Sequence, residues 1–328
     1  MLPLQFTPLI KRLRWGGTRL ESVLGKPTCG VSDAAESWEV CDRGADQSIV
    51  RAGPEAGASL NRLVCERGPE LLGRHAGVGQ FPLLIKYLDA QDVLSVQVHP
   101  NDEQARRLAR SSPEQAECWG KTEAWVIIAA EPGSVIFAGL KPGCDAATCA
   151  RAAATGNWQD CLHRIEVAVG DAFFIPAGTV HAIGAGVLLA EVQQSSDITY
   201  RLYDWGRVAA DGRPRELHVE QALACIDYER GPIARAVPVP AAGPRSPGEE
   251  LVRCPWFVMT RYTGSRPFVL HDDSCCRIIM VLAGRAAAHT RHTTHPLGRG
   301  ETLFIPASAP ALEIVPQEDA VVLETHIP

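Results

Sequence analysis

Short runs of apolar residues, separated by Gly, Pro and Asp, dominate this chain of 328 residues. Many runs alternate apolar with polar positions or are rich in Val, Ile and aromatic residues, which is typical of β-strands and not of alternating β and α units. The clearest runs are FPLLIKYL (81–88), DVLSVQVH (92–99), EAWVIIAA (123–130), SVIFAG (134–139), HRIEVAV (163–169), AFFIPA (172–177), VLLAEVQQ (187–194) and ITYRLYDW (198–205). The pattern predicts a mainly β protein made of antiparallel barrels or sandwiches.

Three segments show a helical pattern instead: DEQARRLARS (102–111), DAATCARAAATG (145–156) and ELHVEQALACID (216–227). The first starts at an Asx residue, the second closes on a glycine, and the third is amphipathic. These are the usual signals of helix boundaries and of a buried helix face. We therefore expect a few short helices among the strands.

One stretch of the chain, GDAFFIPAGTVHAI (170–183), recurs in outline as GETLFIPASAPALEI (300–314). Because 328 residues are too many for one ordinary core, this echo favours two β units in tandem. Residues 229–250 hold five prolines and are typical of an extended connector. We place the boundary after residue 245, which gives a large first domain (1–245) and a smaller second one (246–328).

Composition narrows the classes of function. Apolar residues make up 46% and charged residues 21% of the chain, as in ordinary globular proteins. A formal net charge of −6 provides no basic field for nucleic acid or anionic membranes. The eleven cysteines are scattered without CxxC spacing and are expected to be reduced. Since there is neither a signal-peptide pattern nor a membrane-spanning run, we expect a cytoplasmic protein. Its oligomeric state is expected to be a monomer or a homodimer.

Four side chains that suit a divalent cation lie on three predicted strands. Gln97 and His99 are two residues apart in LSVQVHPND and therefore face the same side of a strand. Glu123 opens the next strand, and His181 follows the glycine of the first repeat copy. Two imidazoles, one carboxylate and one amide oxygen suit Zn²⁺ or a similar ion. The second copy has Ala311 in place of His181, so we expect one metal ion per chain.

The motif G-x5-P-x-G-x2-H that ends at His181 resembles the second motif of the cupin barrels. The blocks QVHPND, GKTEAW, GDAFFIPAGTVHAIG and EVQQSSDITYRLYDWGR more specifically resemble the type I mannose-6-phosphate isomerases in their shorter bacterial form. The resemblance covers most of residues 10–228 and is weaker beyond them. It implies two cupin-like jelly-roll barrels in tandem, with a catalytic metal-binding domain over 1–245 and a degenerate barrel without metal ligands over 246–328.

The resemblance also implies roles for single residues. Matched block by block, the metal ligands are Gln97, His99, Glu123 and His181, the catalytic candidates are Arg201, Lys121, Glu191 and Lys86, and the phosphate contacts are Ser95, Lys121 and Arg201. Longer members of the family carry a histidine immediately before the matched lysine, where this chain has Gly120.

The implied reaction interconverts D-mannose 6-phosphate and D-fructose 6-phosphate by proton transfer between C2 and C1 through an enediol. Such a reaction needs a proton carrier, and the residues do not choose among Glu191, Lys86 and Lys121. One alternative is an Fe(II) cupin dioxygenase with two histidines and one carboxylate, which Gln97 and the pair of Lys121 and Arg201 disfavour. Another is a sugar-phosphate-binding module without turnover, which the retention of every candidate polar group disfavours.

Overall fold

The computed structural model describes residues 1–111, 119–208, 212–241, 247–270, 274–291 and 293–328. Strands outnumber helices among them, so the prediction of a mainly β protein is confirmed. The strands are β1 (Phe6–Thr7), β2 (Leu9–Gly17), β3 (Ala34–Val40), β4 (Asp42–Arg43), β5 (Asp46–Gln47), β6 (Ile49–Val50), β7 (Leu83–Ala90), β8 (Val96–Val98), β9 (Glu123–Ala130), β10 (Val135–Leu140), β11 (Leu162–Glu166), β12 (Ala172–Ile175), β13 (His181–Ile183), β14 (Val187–Gln194), β15 (Tyr200–Tyr203), β16 (Val239–Pro240), β17 (Glu249–Arg253), β18 (Val258–Gly264), β19 (Phe268–Leu270), β20 (Arg277–His289), β21 (Thr294–Gly298), β22 (Thr302–Ile305) and β23 (Leu312–His326). The helices are α1 (Arg19–Ser22), α2 (Leu60–Leu72), α3 (Asp102–Ser111), α4 (Ala146–Thr155) and α5 (Val219–Cys225), with a 3₁₀ turn at Trp158–Asp160.

Contacts within the chain define two compact units. Unit 1 consists of Met1–Arg12, Thr18–Tyr87 and Ala236–Pro328, and unit 2 consists of Leu13–Gly17 and Leu88–Arg235. The boundary that we place after residue 245 lies outside the described residues. The division into two tandem barrels therefore stays a prediction.

Unit 2 carries most of the predicted polar residues, on antiparallel strands or next to their ends. Five strands pair in the order β11-β10-β13-β8-β15, and three others pair in the order β12-β9-β14. In the first set, Gln97 on β8 is the register partner of both His181 on β13 and Arg201 on β15. In the second set, Glu123 opens β9 opposite Ile175. Strand pairing alone thus brings three widely separated parts of the chain together.

Alternation along β8 decides which of its side chains can take part in chemistry. Val96 and Val98 belong to an apolar cluster that includes side chains of α4 and α5. Successive side chains of a strand point to opposite faces, so Ser95, Gln97 and His99 point away from that cluster. The helices bury the apolar face of the strand, and the polar face is left for the site.

The predicted helices are present, although the third is shorter than expected. Helix α3 has the predicted bounds. Helix α4 begins after Asp145, whose carboxylate accepts a hydrogen bond from Thr148 N at 2.8 Å, and it ends before Gly156 with φ of 74°. Helix α5 covers only the central part of the predicted range 216–227.

Helix α2 was not among the predicted elements. Pro69 lies inside it and Arg67 has non-helical backbone angles (φ −133°, ψ 30°), so the helix is kinked. Proline removes a helical hydrogen bond, and Gly68 next to it weakens the helical pattern of the sequence. Ser59 still caps the first turn by accepting a hydrogen bond from Arg62 N at 3.2 Å.

Unit 1 contains an eight-stranded antiparallel sheet with the path β16-β17-β18-β23-β20-β21, on which β19 pairs with β23 and β22 pairs with β20. The second copy of the repeat forms β22 and the start of β23. Ala311 immediately precedes β23 and is exposed, whereas His181 at the matching place in unit 2 is fully buried. No helix among the described residues is both long enough and apolar enough to cross a membrane.

Candidate metal centre

His99, Glu123 and His181 come together in unit 2, at the ends of β8, β9 and β13. All three side chains are buried, and their ligand atoms lie within 4.8 Å of one another. Glu123 contacts both imidazoles, with Oε1 3.3 Å from His181 Nε2 and Oε2 3.5 Å from His99 Nε2. Within the part of the chain that the structure describes, this is the one such group of three His, Cys, Asp or Glu residues.

Backbone carbonyls fix the position of the proton on each imidazole. His99 Nδ1 donates to the carbonyl of Ile198 and His181 Nδ1 donates to the carbonyl of Thr179, both at 2.9 Å. A neutral imidazole has one N–H, so Nε2 of each ring presents a lone pair. Burial, together with the charge of Lys121, lowers the pKa of His181 to about 4, so this ring is neutral at pH 7.

The donor set fits a divalent cation. The lone pair of His181 Nε2 faces a carboxylate oxygen of Glu123 at 3.3 Å, and two acceptors at this distance repel unless a cation or proton lies between them. A histidine that donates Nδ1–H to a carbonyl and offers Nε2 is the usual form of a histidine metal ligand. Two imidazoles and one carboxylate suit Zn²⁺ and several related ions.

Gln97 joins this group through its side-chain amide. Its Nε2 lies 3.3 Å from His181 Nε2, to which it donates. The two residues meet because they are register partners on β8 and β13. Rotation of the amide exchanges the donor for the acceptor oxygen, so Gln97 can supply a fourth ligand atom.

A lysine and a second glutamate, both buried, adjoin His99, Glu123 and His181. Lys121 Nζ lies 3.1 Å from His99 Nε2 and forms an ion pair with Glu123. The same ammonium lies 3.9 Å from Glu191 Oε1, and Trp125 Nε1 donates to Glu191 Oε2 at 2.9 Å. The structure thus brings Lys121 and Glu191 to the metal group. It also adds Trp125, which the sequence motifs do not single out.

Arg201 and Ser95 meet at a second point of the same strands. Arg201 Nε donates to Ser95 Oγ at 3.3 Å, and Arg201 NH1 donates to the carbonyl of Glu216 at 2.9 Å. Arg215, in the segment after β15, donates to the same Ser95 hydroxyl at 3.2 Å. Burial lowers the pKa of Arg201, and the neighbouring charge of Arg215 lowers it further. No motif in the sequence points to Arg215, because only the folded chain joins it to Ser95.

Lys86 is the predicted catalytic candidate that belongs to unit 1. Its side chain is buried, and its Nζ lies 3.2 Å from Glu36 Oε2. Trp38 Nε1 donates to the same carboxylate oxygen at 2.6 Å. The catalytic role of Lys86 stays a prediction.

The structure gives a physical reason for Gly120. A Cβ atom at this position would lie 2.6 Å from Asn101 C and from Asp102 N. The Gly120 N–H also donates to Asp102 Oδ1 at 2.7 Å, which holds the two segments together. The backbone approaches too closely for the histidine that longer relatives carry here.

Two buried imidazoles and a buried carboxylate on the antiparallel strands of a mainly β chain are typical of a metal-binding enzyme of the cupin fold. The family model "Phosphomannose isomerase type I, catalytic domain" matches residues 3–127. Mannose-6-phosphate isomerase ManA of Bacillus subtilis is 35% identical over 308 residues, 93% of each chain. Mannose-6-phosphate isomerase of Streptococcus mutans is 34% identical over 292 residues, 89% of this chain and 88% of that one.

A comparison with a solved structure points to the same family as the comparisons of sequence. The crystal structure of mannose 6-phosphate isomerase from Bacillus subtilis superposes with a TM-score of 0.87 at 29% identity and covers all of both chains. The chain therefore belongs to the type I mannose-6-phosphate isomerase family, and the family resemblance carried by the sequence blocks is confirmed.

Proposed function

We propose that this isomerase interconverts D-mannose 6-phosphate and D-fructose 6-phosphate with one divalent metal ion, for which Zn²⁺ is the expected occupant. Gln97, His99, Glu123 and His181 would hold the ion. The observation that carries the proposal is the orientation of both imidazoles, which give Nδ1–H to backbone carbonyls and direct Nε2 towards Glu123. The activity itself is the one named for the relatives in B. subtilis and S. mutans.

The reaction removes a proton from C2 and delivers it to C1. Between these two steps, negative charge develops on the sugar oxygens. A bound divalent ion supplies Lewis-acid stabilisation of that charge. Lys121 and Glu191 are buried beside the ligand group, and we assign the proton transfer to this pair. Trp125 holds one oxygen of Glu191 by a hydrogen bond, so the carboxylate has a fixed orientation for accepting and returning a proton.

The phosphate end of the substrate is assigned to Ser95 and Arg201. Arginine presents a planar fork that matches a phosphate, and the hydrogen bonds of Arg201 go to neutral oxygens. Lys121, the third predicted phosphate contact, already has its charge paired with Glu123 and lies near Glu191. For this reason we place Lys121 in the proton transfer. The role of Lys86, the cytoplasmic location and the oligomeric state stay predictions.

Isotope exchange during turnover tests the proposal. With mannose 6-phosphate in deuterated water, NMR should show fructose 6-phosphate forming and deuterium entering at C1 or C2. Binding without exchange would instead favour a non-catalytic sugar-phosphate module. Oxygen uptake without isomerisation would favour the dioxygenase.

A matched pair of histidine variants tests the ligand set. His181→Ala should lose bound metal and activity together, because its Nε2 is one of the atoms that we assign to the ion. His163→Ala, which alters a half-buried histidine on β11 of the same unit, should keep both. Metal content measured on the two purified proteins decides the matter. Equal metal in both would contradict the ligand assignment.

A further inference from the structure

Ser95 accepts hydrogen bonds from two arginines that lie far from it in sequence. Arg201 Nε reaches Ser95 Oγ at 3.3 Å and Arg215 NH2 reaches it at 3.2 Å. Ser95 is 3% exposed, so the two guanidinium groups share a hydroxyl that is almost entirely removed from solvent. Two like charges that converge on one neutral oxygen repel each other.

The charges around this hydroxyl do not balance. Arg207 pairs with Asp92 and with Asp204, and Asp204 is shared with Arg215. The hydrogen bonds of Arg201 go to the Ser95 hydroxyl and to a backbone carbonyl, which are both neutral. Three guanidinium groups therefore stand against two carboxylates, and the side chain of Asp92 is half exposed. The charge of Glu216 also acts on Arg201 and that of Arg14 on Arg215, and these two opposite charges leave the excess positive charge unchanged. The excess positive charge favours an anion at this point.

The position of the cluster relative to the metal ligands suits a sugar phosphate. Ser95 precedes Gln97 by two residues and His99 by four, on the same face of the strand. Two strand residues span about 7 Å and four span about 13 Å. In a hexose 6-phosphate the phosphate is carried on C6, at the opposite end of the carbon chain from C1 and C2. A substrate with C1 and C2 at the metal group would extend its phosphate along the strand towards Ser95.

We infer that Arg215 is a phosphate-binding residue and forms, with Ser95 and Arg201, the subsite for the phosphate group of the substrate. This inference rests on the proposed function for the identity of the substrate. Two guanidinium groups offer several N–H donors to a dianion, and the Ser95 hydroxyl donates to a third phosphate oxygen. Asp204 contacts Arg215 and is a positioning residue that holds its fork towards Ser95.

The binding of inorganic phosphate to the purified enzyme tests this subsite directly. Isothermal titration should give a dissociation constant that is about tenfold to a hundredfold higher in Arg215→Gln than in the wild type. Loss of one charge-assisted hydrogen bond weakens binding by about that much. The KM for mannose 6-phosphate should rise by a similar factor while kcat changes much less, as expected when ground-state and transition-state binding are lost together. Arg213→Gln changes an exposed arginine two residues away and should match the wild type.

Removal of Arg215 takes away one of the two arginines that pair with Asp204, and this loss alone could destabilise the protein. A second variant that keeps the positive charge separates this effect from phosphate binding. Arg215→Lys keeps the positive charge beside Asp204 but loses the planar fork, and it should weaken phosphate binding while retaining the thermal midpoint. A folded Arg215→Lys and Arg215→Gln that both bind phosphate as tightly as Arg213→Gln would overturn the inference.

The same experiment separates failure of the subsite from failure of the proposed function. Wild-type enzyme that isomerises mannose 6-phosphate, with phosphate binding indifferent to Arg215, would remove the subsite and leave the function standing. Phosphate binding that depends on Arg215, in a protein that does not isomerise this substrate, would support the subsite and contradict the function.

Discussion

The positions of the protons on the buried side chains of unit 2 decide which of these side chains can act as an acid or a base. His99 and His181 keep theirs on Nδ1, so each ring presents Nε2 for the ligand role that we propose, and neither is assigned as the acid or base. Arg201 keeps its proton at any working pH. Among the predicted residues beside the ligand group, Lys121 and Glu191 are therefore the side chains suited to exchange a proton with the substrate.

Lys121→Gln should reduce kcat by about 10²- to 10⁴-fold, the usual contribution of a positioned acid or base. Bound metal should stay near one ion per chain, because the ammonium of Lys121 is a competing positive charge beside His99 and Glu123. Steady-state kinetics and metal content on the same sample check both parts. Lys141→Gln, at an exposed position of unit 2, is the control. A kcat within a few-fold of the control would contradict the assignment.

Glu324 makes the stability of unit 1 depend on pH. Burial raises the pKa of this carboxyl, but the hydrogen bond from His326 and the charge of Arg277 outweigh burial, so the pKa lies below its ordinary value. An acid with a lowered folded-state pKa contributes stability above its unfolded pKa. That contribution is lost as the pH falls through the folded-state pKa.

Glu324→Gln should therefore destabilise the protein by about 1–3 kcal/mol at pH 7, since it removes the charge of the buried carboxylate that accepts hydrogen bonds from Arg277 and His326. The difference from wild type should shrink as the pH falls through the lowered folded-state pKa, because the wild-type carboxyl then becomes protonated. Thermal midpoints measured across the pH range test this. Glu313→Gln, at an exposed position of the same strand, should follow the wild-type curve. A Glu324→Gln difference that grows with acid would contradict the mechanism.

At the scale of elements, the turn before β13 fixes the position of His99. Gly178 has φ of 84°, a backbone conformation that residues other than glycine rarely adopt. Its N–H donates to the carbonyl of His99 at 2.9 Å, and its own carbonyl accepts from Asp227 N at 2.9 Å. A Cβ at this position would lie 3.1 Å from Asp227 Cβ and 3.2 Å from Cys225 O. One glycine thus connects His99, a proposed metal ligand, to the chain that follows α5.

Gly178→Ala should cost about 1–3 kcal/mol of stability and weaken metal affinity, because the close packing and the positive φ both resist a side chain. Gly143→Ala is the matched control. Gly143 has nearly the same φ, 83°, but a Cβ there meets no atom within 4 Å. Gly143→Ala should therefore lose only the stability that results from a positive φ in alanine. Thermal midpoints and metal titration compare the two. Equal losses in both variants would mean that the contacts with α5 contribute nothing.

The sequence predicts those elements whose pattern matches their environment. The strands of unit 2 have one apolar face under helices, so the alternation of DVLSVQVH is readable without the structure. Helix α2 was missed because Gly68 and Pro69 interrupt its pattern while tertiary packing still maintains it. Arg215 was missed for a different reason. Its meeting with Ser95 depends on the path of the segment after β15, which no local pattern encodes.

At the scale of the whole molecule, metal binding and folding should be linked. Gln97, His99, Glu123 and His181 come from three separate segments that meet only in the folded state, and a ligand that binds only the folded state stabilises it. Chelation should therefore lower the thermal midpoint, and added Zn²⁺ should restore it. Calorimetry of His181→Ala provides the control, because its midpoint should no longer respond to metal. An identical midpoint with and without metal in the wild-type protein would contradict the linkage.

The most direct measurement follows mannose 6-phosphate isomerisation and bound metal on the same wild-type sample as the metal is removed stepwise and then restored. We predict that activity falls in proportion to the metal content, disappears in the metal-free protein and returns as one divalent ion per chain is bound. Full activity in protein shown to contain no metal would contradict a metal-dependent isomerisation.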